Sequence, residues 1–236
     1  MQSIQMTPIG VVKSCFKDRF GTPRQSDLVP SAEAWIELDA RVQPEFSLEG
    51  LAGFTHVWVI FHFHKNTNQK FTAKVHPPRL DGESIGVYAS RSPHRPNAIG
   101  LSLVEIRGVE THRIKIGGHD LIDGTPVLDL KPYLKENESK PLAKSGWGEG
   151  KPYSANLDVR WSPEALGFIE KHLTEVSSFQ KLVNETLTLD PRPQVYKGEG
   201  QTLREKHAVR FDDLDVHFDF PDTKTVQVVE VKFWTY

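Results

Sequence analysis

The residues best suited to chemistry lie in one proline-containing loop, R-S-P-H-R-P-N, at positions 91–97. Its functional groups are two guanidinium groups, an imidazole and a carboxamide, carried by Arg91, Arg95, His94 and Asn97. The two prolines fix their own φ angles near about −65° and restrict the residues that precede them. The loop is therefore stiff, and its polar side chains lose little freedom when a ligand binds. We predict that these four residues bind and orient the reactants at a catalytic site.

A second candidate is the acidic turn D-L-I-D-G-T-P, at positions 120–126. Asp120 and Asp123 can accept hydrogen bonds from hydroxyl or ammonium groups, and Gly124 lets the backbone approach a small molecule closely. A tight turn whose aspartates cap its own amides would have the same composition. Both interpretations stay open at the level of the residues.

Several familiar kinds of site are absent from the sequence. It has no G-x-x-x-x-G-K-[ST] or G-x-G-x-x-G phosphate loop and no G-x-S-x-G elbow, and the lone Cys15 has no nucleophile signature. His56, His62 and His64 have spacings that could supply metal ligands, but no carboxylate or cysteine follows at ligand spacing. We therefore predict no metal, and we place His64, with Lys65, at the mouth of a pocket.

Composition and charge set the broad class. The 236 residues are 38% hydrophobic and 25% charged, with one cysteine and a net charge of −2. No signal peptide and no bilayer-length apolar run occur, so we expect a soluble, cytoplasmic protein with no membrane partner. Residues 65–95 nevertheless hold six cations against two anions, which indicates a surface that meets phosphates. The side chains expected there are Lys70, Lys74 and Arg79, and Arg192 in the loop D-P-R-P could face the same substrate.

The hydrophobic pattern predicts a mainly β protein. At least six short strands without a long helix between them favour an antiparallel β-barrel over residues 1–162. The run at positions 54–64, the most hydrophobic of the chain, predicts a strand covered on both faces. From Ser162 an N-cap followed by proline starts a helix, whose apolar stripe continues to Val183. With the strands that follow, it predicts a small α+β domain over residues 163–236.

Six motifs together resemble those of the TrmO (YaeB, TsaA-like) family, over nearly the whole chain. They are I-G-V-V, F-G-T-P-R-Q, F-T-H-V-W-V-I-F-H-F-H, R-S-P-H-R-P-N-A-I-G-L, D-L-I-D-G-T-P and D-P-R-P. The resemblance implies a homodimeric tRNA methyltransferase dependent on S-adenosyl-L-methionine (SAM), with a β-barrel catalytic domain and a small C-terminal domain. Its implied substrate is threonylcarbamoyladenosine beside the anticodon of threonine tRNA, methylated on the exocyclic nitrogen. One departure is Ala98, where the family often has proline.

The resemblance also implies which residues contact the cofactor. They are Gln25, His64, Lys65, Arg91, Leu101, Asp120, Asp123, Gly124 and Thr125. Two other classes remain as alternatives. A non-catalytic RNA-binding barrel could stack bases on Trp35, Trp58 and Tyr88, and a metal-dependent hydrolase would need a histidine site.

Overall fold

The N-terminal part of the chain is a closed antiparallel barrel of six strands. A computed structural model of the protein describes residues 3–66, 71–80, 82–150, 153, 155–192 and 206–235. The barrel strands are β1 Gly10–Ser14, β2 Glu33–Leu38, β3 His56–His62, β6 Ile99–Val109, β7 Arg113–Gly117 and β8 Pro126–Pro132. They close in the order β1-β2-β7-β6-β3-β8. The predicted mainly β architecture with a barrel is confirmed.

Alternation along β3 builds the barrel core. Val57, Val59 and Phe61 point inward and are buried, while the alternate residues, including Trp58, are only partly covered. The prediction of a strand covered on both faces is therefore only half right. On the outer face, the Trp58 indole N–H donates to Glu138 Oε1 at 2.8 Å, so one charged side chain takes the place of a packed layer.

Short elements connect the barrel strands. They are α1 Pro44–Ser47, the two-residue strands β4 Lys74–Val75 and β5 Ile85–Gly86, and α2 Lys135–Glu138. The apolar residues Gly86–Ala89 before the proline loop have the composition of a short strand, but only Gly86 belongs to one, and Val87–Ala89 form a 3-10 turn. The reason is local, because Arg95 donates to the carbonyls of Val87 and Ser90 and holds the chain curled. No helix in the described part of the chain is long and apolar enough to cross a bilayer.

The C-terminal part is a four-stranded sheet covered by two helices. Its elements are β9 Asp158–Trp161, α3 Pro163–His172, α4 Val176–Leu187, β10 His207–Phe211, β11 Leu214–Asp219 and β12 Thr225–Phe233. The single predicted helix is two helices, because Leu173 takes an extended conformation at the end of α3. The sheet is mixed, since β10, β11 and β12 pair antiparallel and β9 pairs parallel with β12.

The two parts share a hydrophobic core. Phe16, Val29 and Ala32 belong to the N-terminal region, yet they are buried in one cluster with the C-terminal sheet. Phe16 also forms a β-bridge with Phe211. Strand β9, which precedes the predicted boundary at residues 162/163, lies in the C-terminal sheet. The long connection between β1 and β2 is thus a structural part of the C-terminal unit.

His119, directly before the acidic turn, should make the stability pH-dependent. Its side chain is fully buried, its Nδ1 accepts the Leu121 N–H at 3.2 Å, and burial lowers its pKa from 6.5 to about 4. The unfolded chain therefore binds the proton more tightly below pH 6.5 than the folded chain does. We expect the free energy of unfolding to fall from about pH 6.5 towards 4, by up to roughly 3 kcal/mol.

Denaturant titrations across this pH range check the expectation. His119→Gln removes the titrating group and should flatten the pH dependence, even where it lowers stability at pH 7. The exposed His112 supplies the matched control, His112→Gln, which should keep the wild-type slope. An unchanged slope in His119→Gln would mean that another group causes the acid sensitivity.

Candidate active site

A cavity of about 840 Å³ opens at one end of the barrel, beside the proline loop. Its walls come from the start of the β1–β2 connection, the end of β3, the loop at 90–95, the start of β6 and the acidic turn. Phe61, Phe63, Ile99 and Ile122 supply an apolar shelf. Arg91 and Asp120 both line this cavity. The stiff cationic loop and the acidic turn, 29 positions apart in the sequence, thus share one hollow.

Arg91 is held from two sides. Its Nη1 donates to Gln25 Oε1 at 2.5 Å, and its Nη2 donates to the Leu101 carbonyl at 3.0 Å. Gln25 comes from the β1–β2 connection and Leu101 from β6, so one guanidinium group ties three segments of the cavity wall together. Three of the residues predicted to contact the cofactor, Gln25, Arg91 and Leu101, therefore form one hydrogen-bonded corner.

Asp120 is the acidic group of the cavity. Ser102 Oγ donates to Asp120 Oδ1 at 2.6 Å. Burial raises the pKa of Asp120, while the Ser102 hydroxyl and the positive charge of Arg91 oppose that rise. Thr125, also on the cavity wall, donates through its hydroxyl to the Ile122 carbonyl at 2.6 Å and so closes the turn. An anionic and a cationic side chain therefore line the same apolar pocket.

Asp123 was predicted to contact the cofactor, but it lies outside the cavity lining. Its Oδ1 accepts the Ser14 N–H at 2.9 Å, and its Oδ2 lies 3.3 Å from Lys17 Nζ. The carboxylate is therefore taken up in fixing the turn to β1, which is the turn-capping interpretation that the sequence left open. Gly124 does lie near the pocket, since a Cβ added there would come 3.8 Å from His64 Nε2.

His64 and Lys65 both line the cavity, in a turn that follows the end of β3. Burial, with the charge of Lys65, lowers the pKa of His64, and the backbone of Asp123 opposes that effect. The imidazole is therefore neutral at pH 7, which suits a hydrogen-bonding role. No cluster of three metal-ligating side chains occurs in the described part of the chain.

The four residues of the proline loop separate into different roles. His94 and Arg95 line the cavity, but Arg95 Nη1 donates to the carbonyls of Ser90 at 2.7 Å and Val87 at 3.2 Å. Arg95 therefore shapes the loop from within. Asn97 is exposed and outside the cavity lining, and its carbonyl accepts the Ile99 N–H where β6 begins. Neither of its side-chain groups faces the pocket with Arg91.

Asn66 brings an unsatisfied polar atom to the cavity. Its Nδ2 donates to the Pro93 carbonyl at 3.0 Å, and its buried Oδ1 has no partner among the residues that the structure describes. A buried carbonyl oxygen without a donor costs free energy unless a ligand supplies one. Asn66 lies directly after the predicted pair His64 and Lys65, so this segment offers a hydrogen-bond acceptor to whatever fills the pocket.

The residues predicted to meet phosphates are placed differently from one another. Lys74 is exposed at the cavity rim, whereas Lys70 lies outside the described residues. Arg79 lines the cavity but donates to the Gly148 carbonyl at 2.6 Å, and its guanidinium group lies 3.9 Å from the Tyr153 ring centre. Arg192 lies outside the cavity lining, where it pairs with Asp190 at 2.9 Å.

Ser102 and Trp147 are site residues that sequence reasoning missed. Ser102 had a signal, because it is a polar residue at an inward position of β6, between the buried Gly100 and Val104. Trp147 had none, since it lies far along the chain in a glycine-rich segment. Its indole N–H donates to the Ala89 carbonyl at 2.7 Å and so brings that segment to the cavity wall.

Comparison with known proteins assigns the chain to a family. Residues 11–139 match the tRNA-methyltransferase O N-terminal domain, and residues 154–233 match the TrmO C-terminal domain. The chain belongs to the TrmO family. It is 39% identical to the tRNA (adenine(37)-N6)-methyltransferase of Escherichia coli over 232 residues, which cover 94% of this chain and 95% of that protein.

Other members of the TrmO family agree with this assignment. A Pseudomonas aeruginosa relative whose name describes an S-adenosylmethionine-dependent methyltransferase is 39% identical over 96% of both chains. The crystal structure of TrmO from Pseudomonas aeruginosa superposes with a TM-score of 0.80, at 33% identity, and covers 98% of this chain and 99% of that one.

The cavity fits the cofactor expected of a TrmO protein. SAM carries an ammonium group, a carboxylate, ribose hydroxyls and an adenine ring, so its site needs acceptors, donors and an apolar surface. Asp120 and Asn66 Oδ1, which has no partner among the described residues, are acceptors, Lys65 is a cationic donor, and the shelf around Phe61 is apolar. This complementarity rests on the side chains themselves and not on the names of the relatives.

Proposed function

We propose that this protein transfers the methyl group of SAM to N6 of the adenine at position 37 of tRNA. The observation that carries the proposal is the cavity that Arg91, Asp120 and an apolar shelf line together, in a chain of the TrmO family. The relative from Escherichia coli is named for this reaction. The protein is thus an enzyme, a SAM-dependent tRNA methyltransferase.

Positioning is the main contribution of the chain to catalysis. Bound SAM supplies an electrophilic methyl group on a sulfonium sulfur. Gln25, Arg91 and Leu101 fix one wall of the cavity, and Ser102 fixes Asp120 on another. Such a preorganised site limits the freedom of both reactants, which is worth up to about 7–11 kcal/mol of the barrier in favourable cases. Asp123 contributes indirectly, because its carboxylate accepts the Ser14 N–H and so fixes the acidic turn to β1.

His94 is our candidate for receiving the proton that leaves N6. It lines the cavity, and its backbone N–H donates to Ser92 Oγ at 3.2 Å, which fixes the loop beneath it. The acceptor nitrogen is a weak nucleophile when it is conjugated to a carbamoyl group, so removal of its proton assists the attack. An imidazole nitrogen of His94 would hold that proton until solvent takes it.

The substrate that we propose is threonylcarbamoyladenosine at position 37 of threonine tRNA, methylated in the cytoplasm. The exposed Lys74 at the cavity rim is a suitable phosphate contact. We also propose two domains, 1–162 and 163–236, with β9 of the first joined to the sheet of the second. Arg192, held by Asp190, acts in this proposal as a support of its own loop.

A homodimer is the proposed working form. The outer face of β3 and β6 carries Trp58, Ile60, Leu101 and Leu103 as neighbours across the two strands. Leu101, an apolar residue paired with Ile60 of β3, is 46% exposed. Because the Leu101 carbonyl also holds Arg91, a second subunit packed here would brace the cavity. Sedimentation equilibrium tests this, and a monomer at micromolar concentration would contradict it.

The reaction is tested with tritiated SAM and total tRNA from a strain that lacks this protein. We expect the label to enter tRNA and to be recovered, after nuclease digestion, in one N6-methylated nucleoside. Absence of transfer would overturn the proposal. The alternative of a non-catalytic RNA-binding barrel is not favoured by the comparisons, and calorimetry with SAM alone distinguishes it, because such a module would bind tRNA but not SAM.

Lys74 provides a test of the tRNA-facing surface. If it contacts a phosphate, Lys74→Ala should weaken tRNA binding and lower the slope of log affinity against log salt by roughly one. Filter binding across a salt series measures this slope. Lys232→Ala removes a cation that is paired with Glu230 on the C-terminal sheet and is the matched control. Equal slopes for the two variants would remove Lys74 from the interface.

A further inference from the structure

A second cavity, of about 820 Å³, adjoins the first between the barrel and the C-terminal unit. One wall is the segment 19–24 of the β1–β2 connection, and the other is the end of α4 with the residues that follow it, up to Pro191. Arg19, Arg24 and His94 line both cavities. The two hollows therefore join at these three side chains, beside the proposed proton acceptor.

The segment that carries the two arginines is anchored firmly at both ends. The Phe20 ring stacks on Phe218 of the C-terminal sheet, with 6.4 Å between centroids and 3° between planes. Gly21 has a φ of +91°, and a Cβ there would come 2.3 Å from Val209 Cγ1, so only glycine allows this approach. At the other end Gln25 accepts the hydrogen bond from Arg91. The arginines are thus presented from a fixed backbone.

Neither Arg19 nor Arg24 has an ion-pair partner among the described residues. The nearby acid, Asp190, is already bound by Arg192 through two hydrogen bonds of 2.9 and 3.0 Å. Burial lowers the pKa of Arg24, and the charge of Asp190 opposes this only as the smaller effect. Both side chains are exposed to the solvent of the cavities, and a guanidinium group without a carboxylate partner can donate two hydrogen bonds to an incoming anion.

The other arginines of the site are not available for such an anion. Arg91 already donates hydrogen bonds to Gln25 and the Leu101 carbonyl. Arg95 donates to the carbonyls of Val87 and Ser90, and Arg79 donates to the Gly148 carbonyl. Arg19 and Arg24 are the arginines of the cavity wall for which the described residues show no such bond.

We propose that Arg19 and Arg24 bind the threonyl carboxylate of the base that is methylated. This inference rests on the proposed function, because it assumes threonylcarbamoyladenosine as the substrate. When the acceptor nitrogen lies in the first cavity beside His94, a group attached to that nitrogen must leave through the junction, where the two arginines lie. A planar guanidinium fork grips a carboxylate through two hydrogen bonds.

The proposal gives the enzyme a means of substrate selection. An unmodified adenine would leave both cations without their anion, and sites built around a polar group reject analogues that lack it. It also gives the C-terminal unit a role in specificity, since Phe20 and Gly21 pack on its sheet and fix the two arginines. The roles of Arg19 and Arg24 are substrate binding, not proton transfer.

The test uses two synthetic anticodon stem-loops that differ in one group. Both carry the threonylcarbamoyl side chain on the base at position 37, one with its carboxylate and one with a carboxamide in its place. We expect wild-type protein to prefer the carboxylate by about 100-fold in kcat/KM. The double variant Arg19→Gln, Arg24→Gln should lose this preference. Arg160→Gln, which removes a surface arginine paired with Asp158, should keep it.

Each outcome bears on one hypothesis. A wild-type preference that survives in the double variant would overturn the inference, as would an equal loss on both stem-loops, which indicates a phosphate contact. Wild-type protein that methylates both stem-loops equally would overturn it too and leave the proposed reaction standing. Wild-type protein that methylates neither, despite binding SAM, would instead count against the proposed function. The single variants Arg19→Gln and Arg24→Gln, with smaller losses of preference, guard against misfolding of the double variant.

Discussion

Replacing Arg91 by alanine should lower the affinity for SAM by at least about 100-fold and abolish methyl transfer. The guanidinium group donates to Gln25 Oε1 and to the Leu101 carbonyl, so its loss frees three segments of the cavity wall at once. SAM would then have to order these segments again on binding, and two or three residues at about 1–2 kcal/mol each are enough for an effect of this size. Titration calorimetry with SAM measures the change.

Lysine should not restore this function. In Arg91→Lys, a single ammonium group has to replace a planar fork whose two nitrogens reach different acceptors. The matched control is Arg113→Ala, which removes an arginine stacked on Trp35 and paired with Glu110, outside the cavity lining. Because Arg91 is exposed and lies outside both hydrophobic cores, its variants should remain folded at the assay temperature, which thermal unfolding checks. SAM binding by folded Arg91→Ala at wild-type affinity would remove Arg91 from the site.

The second large effect is expected for Asp120→Asn, which should weaken SAM binding without lowering the stability of the fold. The variant keeps the shape of the side chain and can still accept the Ser102 hydroxyl hydrogen bond. It loses the negative charge, which we expect to cost roughly 10- to 100-fold in SAM affinity. Methyl transfer at subsaturating SAM should fall by the same factor.

The stability of Asp120→Asn should rise or stay equal at neutral pH. Burial raises the pKa of Asp120, which means that the ionised carboxylate costs free energy in the folded state. In the wild type this cost disappears as the pH falls through the raised pKa, whereas the variant lacks it at every pH. Thermal unfolding at pH 7 and calorimetry with SAM check both halves. A variant that is destabilised and still binds SAM normally would mean that Asp120 is purely structural.

Cys15 is unreactive for a physical reason. The sequence shows no nucleophile signature around this residue, and burial raises the pKa of its thiol to about 12. The thiol is therefore protonated at neutral pH and is inert as a nucleophile. Covalent catalysis through cysteine has no support in either the sequence or the structure.

Much of the fold could be predicted because the barrel strands alternate cleanly. The break between α3 and α4 could not, since residues 173–175 contain no proline or glycine and both helices present the same apolar stripe to the sheet. Nor could the pairing of β9 with β12, because parallel pairing between distant segments leaves no local pattern. Tertiary contacts determine both the helix break and the parallel pairing.

The site could be predicted as a set of loops but not as a set of contacts. Asp120 and Asp123 have the same side chain and lie three positions apart in one motif, yet only Asp120 lines the cavity. Asp123 instead accepts the Ser14 N–H and pairs with Lys17. Arg95 resembles Arg91 in its loop but turns back on it. Which way such a side chain points depends on partners supplied from remote parts of the chain.

The most direct test of the account is mass spectrometry of nucleosides from tRNA incubated with the purified protein and SAM that carries a deuterated methyl group. We predict deuterated methyl on N6 of the nucleoside from position 37, and none with the Arg91→Ala protein. Protein that binds SAM and tRNA but leaves position 37 unlabelled, or labels another position, would contradict it.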